Sequence, residues 1–139
     1  MRHKIKKNKF GFGKDANKML LRKLAVNFLK TGYLETTFKK AKVLKSFLEK
    51  LISKGKTFNE ANKNYLLKYL SNLKLVNKIF EEIGPSFSNI SGGYIKIIKK
   101  DFKDGNGSLI GRLEWAHPII KKEKKILKKM KKLKIKKLI

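Results

Sequence analysis

The chain has 139 residues, with 37 Lys or Arg against 10 Asp or Glu, a formal net charge of +27 at pH 7. A body of this size repels itself at low salt, so its charge calls for a polyanion, with nucleic acid and an anionic membrane surface as the two candidates. The absence of Cys excludes a disulfide scaffold, a thiolate zinc site and a Cys nucleophile.

No uninterrupted apolar run exceeds three residues, as in Met19-Leu20-Leu21. A membrane span needs about 20, and a secretory signal about 7 after its basic start. The protein is therefore expected to stay on the side of the membrane where it is made. The charge is uneven. Residues 1–14 carry six basic residues and no acid, residues 119–139 carry eleven Lys and one Glu, and residues 15–118 carry 20 basic and 9 acidic residues. Hydrophobic residues make up 41%, enough for a packed core at this length. The expected plan is a basic arm (1–14), a globular domain (15–118) and a Lys-rich extension (119–139).

In chain order, Asp15 is a candidate N-cap for a helix from Ala16 to Thr31, with Leu20, Leu24 and Phe28 beside Leu21, Ala25 and Leu29, ended by Gly32. Tyr33-Leu34-Glu35-Thr36 reads as a single strand. Thr37 can cap a second helix whose stripe is Ala41, Leu44, Phe47, Leu48, Leu51 and Ile52, closed by Gly55. Thr57 or Asn59 opens a third, with Ala61, Tyr65, Leu66 and Tyr69 inward. Asn72 caps a fourth, with Val76, Ile79, Phe80 and Ile83, and Gly84-Pro85 is expected to stop it. Tyr94-Ile95-Lys96-Ile97-Ile98 and Leu109 to Trp115, around the turn Asp104-Gly105-Asn106-Gly107, form an antiparallel hairpin. The fold class is α+β: a two-layer domain in the order helix, strand, three helices, hairpin. Beyond His117-Pro118, the spacing of Ile126, Leu127, Met130, Leu133 and Leu138 predicts a Lys-rich helix.

Catalytic constellations are poor. His3 and His117 lie far apart with no local acid or His cluster, which argues against a metal site. Glu81-Glu82 point to different helix faces. Gly11-Phe12-Gly13-Lys14 lacks Walker spacing and a preceding strand. No catalytic residue, metal, cofactor or small-molecule substrate is expected, and the chain is not expected to be an enzyme.

Binding signals are stronger. Arg2, His3, Lys4, Lys6, Lys7 and Lys9 have too few apolar neighbours to fold alone and suit a phosphate backbone; a solubilising tail is the alternative. On the second helix Lys39, Lys40, Lys42, Lys45 and Lys50 leave the apolar stripe free, and Thr36-Thr37 at its start can add hydroxyls and N–H groups for a phosphate. The alternative is an ordinary solvated face. Ser91-Gly92-Gly93-Tyr94 permits close backbone approach, with Tyr94 either stacking on a base or serving as a core residue in a simple loop. Phe10 and Phe12 interleave with the arm and can stack on bases or dock on the core.

The opening Met1-Arg2-His3, the segment Thr36-Thr37-x-x-Lys40-Ala41-Lys42, the run Phe80-x-x-Ile83-Gly84-Pro85-x-Phe87, and Gly92-Gly93-Tyr94 followed by Lys96-Ile97 occur in that order, with Glu114 on the last strand. Together they closely resemble the family of the bacterial large-subunit ribosomal protein numbered seventeen, over about residues 1–116. The resemblance implies the same element order and binding to large-subunit ribosomal RNA near the outer rim of the polypeptide exit tunnel. It also implies contacts with neighbouring large-subunit ribosomal proteins; the lack of a presequence favours a cytoplasmic, bacterial ribosome over an organellar one.

Where that family usually carries His-Arg, Arg, Thr-Arg and an Arg-x-Gly-Asp turn, this chain has Ala16-Asn17, Ile90, Ile95-Lys96 and Lys103-Asp104-Gly105-Asn106. Residues 119–139 lie beyond the family's usual end. The expected RNA-contacting set is Arg2, His3, Lys4, Lys6, Lys7, Lys9, Lys14, Lys18, Arg22, Thr36, Thr37, Lys39, Lys40, Lys42, Gly92, Gly93, Tyr94 and Lys96. The rival readings are a nucleoid-type protein binding DNA non-specifically and a peripheral membrane protein working through its basic tail.

Overall fold

The structure, a computed structural model, describes residues 10–11 and 13–119. The basic arm through Lys9 and the amphipathic pattern beyond Ile119 lie outside the described residues.

Helix α1 (Gly13–Thr31) buries Ala25, Phe28 and Leu29. It begins earlier than the Asp15 cap predicts. Asp15 instead sits in the first turn, where a carboxylate meets the positive end of the helix dipole, and pairs with Lys18 at 3.6 Å. Gly32 ends the helix at φ +89°, its N–H donating to Phe28 O at 2.7 Å. Strand β1 (Tyr33–Thr37) runs straight into α2 (Phe38–Gly55), which buries Ala41, Leu44, Leu48, Leu51, Ile52 and Gly55. Asn59 caps α3 (Glu60–Leu70) by accepting from Ala61 N–H, and Asn72 caps α4 (Leu73–Lys78) by accepting from Leu75 N–H.

Strands β2 (Ile95–Phe102) and β3 (Leu109–Trp115) form the hairpin. The sheet order is β1-β3-β2, all antiparallel, with Leu34 and Ile97 both opposite Leu113. The last strand made is therefore the central one. Helix α2 packs across all three strands. The centre of that contact is Gly111, where a Cβ would stand 3.1 Å from Ala41 Cβ and 3.2 Å from Phe38, so the missing side chain lets α2 lie close to the sheet.

Between the layers Leu44, Leu48, Leu66, Ile79, Ile83, Ile95 and Leu113 are sealed from water. Each contributes about 2 kcal/mol by leaving it. Trp115 caps the end of this core against Phe28, with ring centroids 4.7 Å apart, and Phe87, 5.6 Å apart. Ile119 packs against the same core, so the apolar interior continues one residue past the expected boundary at 118.

Three sequence expectations change. Gly84-Pro85 does not stop the fourth helix. A π-helical turn (Ile79–Ile83) follows α4, and a short α5 (Gly84–Ser86) follows that. Gly84 N–H bonds back to Ile79 O, and Pro85 falls in the first turn of α5, where a missing N–H costs nothing. Ala61 is exposed, because Asn59 as cap turns the start of α3 outward; Leu66 and Leu70 hold the core instead. Strand β2 runs past Ile98 to Phe102, crossing a register shift between Lys99 and Phe102.

Candidate nucleic-acid interface

From Ala16 to Leu48 the chain carries eight Lys or Arg and a single carboxylate, Glu35. That carboxylate is spent on the sheet, 2.6 Å from Lys100 Nζ and 3.5 Å from Arg112. On the outer surfaces of α1 and of the start of α2, Lys23, Lys30, Lys39 and Lys42 are exposed, while Lys18 pairs with Asp15 at 3.6 Å and Lys45 with Glu49 at 3.9 Å.

At the start of α2, Thr37 is the N-cap by position, but its side chain makes no capping hydrogen bond. No side chain thus claims the first N–H groups of an 18-residue helix. Thr36, Thr37, Lys103, Ile110 and Glu35 line a cleft of about 290 Å³ there. Phe38 holds two ammonium groups over its ring, Lys42 at 4.8 Å and Lys99 at 5.6 Å. The attraction of each ammonium for the ring holds both cations near the start of α2. Lys39 is exposed and Lys40 half-buried on the same turns.

A second locus lies where the loop before β2 meets the middle of α2. Ser46, Glu49, Lys50 and Ser53 face Ser91, Gly92 and Tyr94 across a cleft of about 360 Å³. Tyr94 is a core residue, 2% exposed, its ring 5.2 Å from Phe87 and beneath Lys56 Nζ at 4.8 Å. Its hydroxyl donates to Ser91 O at 3.1 Å, and Lys56 donates to Ile90 O, so both tie the loop down. Of the two readings of Tyr94, the structure takes the core one: a ring so enclosed has no face to offer a base. Gly92 and Gly93 remain exposed above it, with open space where a Cβ would be.

Other expected residues are spread around the body. Lys14 and Lys18 are exposed on α1. Arg22 is not a free cation: its Nε donates to Tyr69 O at 2.9 Å and its Nη2 to Lys68 O at 3.0 Å, satisfying carbonyls at the end of α3. Lys96 lies on the sheet's outer face, 3.4 Å from Glu114. Arg2, His3, Lys4, Lys6, Lys7 and Lys9 lie outside the described residues.

The outer sheet face holds what sequence reasoning missed. Arg112 pairs with Glu114 at 2.5 Å, an ion pair in which the Nε–H is not aimed at the oxygen, and its guanidinium lies over Tyr33 at 4.9 Å. Around these pairs Tyr33, Ile98 and Phe102 are exposed. The Lys100 hydrogen bond is the main reason the Glu35 carboxyl titrates below the ordinary glutamate range; burial opposes it, and the Lys100 and Arg112 charges add to the lowering. A lowered folded pKa means stability present at neutral pH and lost as pH falls through that pKa. In a carbon-detected NMR titration Glu35 should show its midpoint below that of an ordinary glutamate, and Lys100→Ala should move the midpoint up. An unmoved midpoint would place the cause elsewhere.

Among the described residues, no group of three or more His, Cys, Asp or Glu is placed to hold a metal ion, and no helix is long and apolar enough to cross a membrane.

A sequence profile described as ribosomal protein L17 matches residues 20–116. The chain is 42% identical over 91 residues to the large ribosomal subunit protein bL17 of Moorella thermoacetica, covering 66% of this chain and 81% of that protein. It is 34% identical over 116 residues to the bL17 of Coprothermobacter proteolyticus, covering 84% and 99%. Against the bL17 of Nautilia profundicola it is 38% identical over 120 residues, covering 84% and 98%.

Proposed function

Because the chain belongs to the bacterial ribosomal protein L17 family, it is a structural component of the large ribosomal subunit, and we propose that it acts there by binding large-subunit ribosomal RNA. In this reading it works as a scaffold and not as an enzyme, in the cytoplasmic ribosome, near the outer rim of the polypeptide exit tunnel as the family resemblance implies. One observation carries the RNA reading: Lys23, Lys30, Lys39 and Lys42 are exposed on two adjoining helices, and the one carboxylate between Ala16 and Leu48, Glu35, is tied up on the sheet. Lysines in that arrangement neutralise crowded phosphates, and release of condensed counterions supplies much of the affinity.

The contacts follow from geometry. The unclaimed N–H groups at the start of α2, with Thr36, Thr37, Lys39, Lys40 and Lys42 around them, suit a phosphate. Lys14 and Lys18, exposed on α1, and by their charge the arm residues Arg2, His3, Lys4, Lys6, Lys7 and Lys9 are further candidates for phosphate contact. Gly92 and Gly93 let an RNA backbone approach the loop, while Tyr94 positions that loop from below. The outer sheet face has its charges paired internally and its apolar residues exposed, so it suits a neighbouring ribosomal protein better than RNA.

The direct test is sedimentation through a high-magnesium gradient. The native protein should run with the large subunit; protein running free of it would sink the reading. In competition, folded ribosomal RNA should displace the bound probe better than duplex DNA does. Gly92→Ala tests the loop. Gly92 is not in the left-handed region and a Cβ there meets nothing within 4 Å, so stability should change by less than about 0.5 kcal/mol. RNA affinity should nevertheless fall several-fold if a backbone packs against the position. Unaltered affinity in a filter-binding titration would remove Gly92 from the interface.

A further inference from the structure

Where α1, α2 and α3 converge, the surface opens into a cavity of about 450 Å³ lined by Lys18, Leu21, Arg22, Phe47, Lys68 and Tyr69. We infer that this cavity receives a single unstacked base of the ribosomal RNA, held between apolar walls and a cationic rim; the inference rests on the RNA-binding reading above and goes beyond it by naming a site and its occupant.

The walls suit a base. Leu21 and the rings of Phe47 and Tyr69 form the apolar part, the two rings edge-on at 5.6 Å, and Tyr65 backs Tyr69 at 4.8 Å. Two rings locked against each other in this way offer a rigid surface for stacking at little entropic cost. Cavities that bind small planar ligands run from about 300 to 1,000 Å³, so one base with part of its sugar fits.

The rim suits the phosphates on either side. Three cations line the cavity and no carboxylate does. Asp15, on the same turn, pairs with Lys18 at 3.6 Å and offsets part of its charge, so Arg22 and Lys68 carry the rest of the rim. A helix C-terminus normally repels an anion, and α3 ends here. Arg22 cancels that obstacle by donating to Lys68 O and Tyr69 O, which places a fixed guanidinium over the carbonyls an anion would otherwise meet.

The experiment is zero-length ultraviolet crosslinking of the full chain bound to the large subunit, with crosslinked peptides mapped by mass spectrometry. A nucleotide attached to Phe47 or Tyr69 is the expected result. Phe47→Leu and Tyr69→Leu keep apolar volume and remove the stacking face; each should abolish its crosslink and weaken RNA binding about tenfold while circular dichroism confirms the fold. Lys68→Glu, at an exposed side chain, should lower crosslink yield with no loss of fold. A complex that sediments with the subunit but crosslinks only through other residues would overturn this inference and leave RNA binding standing. So would a crosslink from these rings to another protein. A chain that fails to sediment with the subunit at all would overturn both.

Discussion

Gly84→Ala should cost about 3 kcal/mol of folding stability and lower the thermal midpoint by about 10 °C. Helix propensity alone favours Ala over Gly by about 1 kcal/mol, so the expected sign depends on which effect is larger. At Gly84 a Cβ would stand 2.3 Å from Gly55 O, 3.0 Å from Gly55 C and 3.2 Å from Ile79 O. All three are backbone atoms in a sealed interface, with both glycines buried, so no rotamer change makes room. Gly55 meets the same crowding from the other side, but with a side chain: its Cβ would fall 2.2 Å from Ile79 Cγ2. The two glycines should therefore respond differently to truncation of Ile79. Ile79→Ala should relieve part of the cost of Gly55→Ala and none of the cost of Gly84→Ala, a coupling that a double-mutant cycle of melting curves reads directly. Matching midpoints for Gly84→Ala and the native chain would refute the contact.

Removal of residues 120–139 should leave assembly possible but loosen retention on the subunit. The segment carries eleven Lys and one Glu, and this expectation rests on that charge alone. If about five of those lysines meet phosphates, the log–log dependence of binding on salt should become shallower by about 4, and affinity near 0.15 M salt should fall on the order of a thousandfold. The gap should close as salt approaches about 1 M, where counterion release no longer drives binding. Truncation belongs after Ile119, because that side chain packs against the core beside Trp115 and its loss would confound a binding defect with an unfolding one. A truncated chain that leaves the subunit at the same salt concentration as the full chain would show that the extension serves something other than RNA.

The α2 stripe was legible because spacing and length agree over 18 residues: five of its six expected apolar residues are buried and Phe47 is half-buried. The hairpin was legible from turn chemistry and alternation. The passage through Gly84-Pro85 was not. A local reading weighs Gly and Pro as breakers, whereas here Gly84 is set by a contact with Gly55, 29 positions earlier in the sequence. Ala61 misled because its helix is short and its cap fixes which face turns inward. In the candidate interface the lysines declared themselves by number, but their availability did not. Arg22 and Lys96 turned out to hold partners of the protein itself, Arg22 on α3 carbonyls and Lys96 on Glu114. Those partnerships, like Glu35 with Lys100 across 65 positions, depend on strand register and helix packing that no local window contains. The base cavity was invisible for the same reason, since its lining comes from three helices.

The sheet order has a consequence for synthesis. Strands β1 and β2 are not neighbours; each pairs only with β3. A nascent chain that has emerged as far as Phe102 therefore holds two strands and no sheet, and gains both ladders together once Leu109–Trp115 appears. During that interval the helices can gather, but Ile95 and Ile97 wait without their cover, a state in which foreign strands readily add. Lys96, Lys99 and Lys100 lie along the waiting strand. Charged side chains along an open edge disfavour pairing between two copies, so the same lysines bear on the unfinished chain as well as on the finished one.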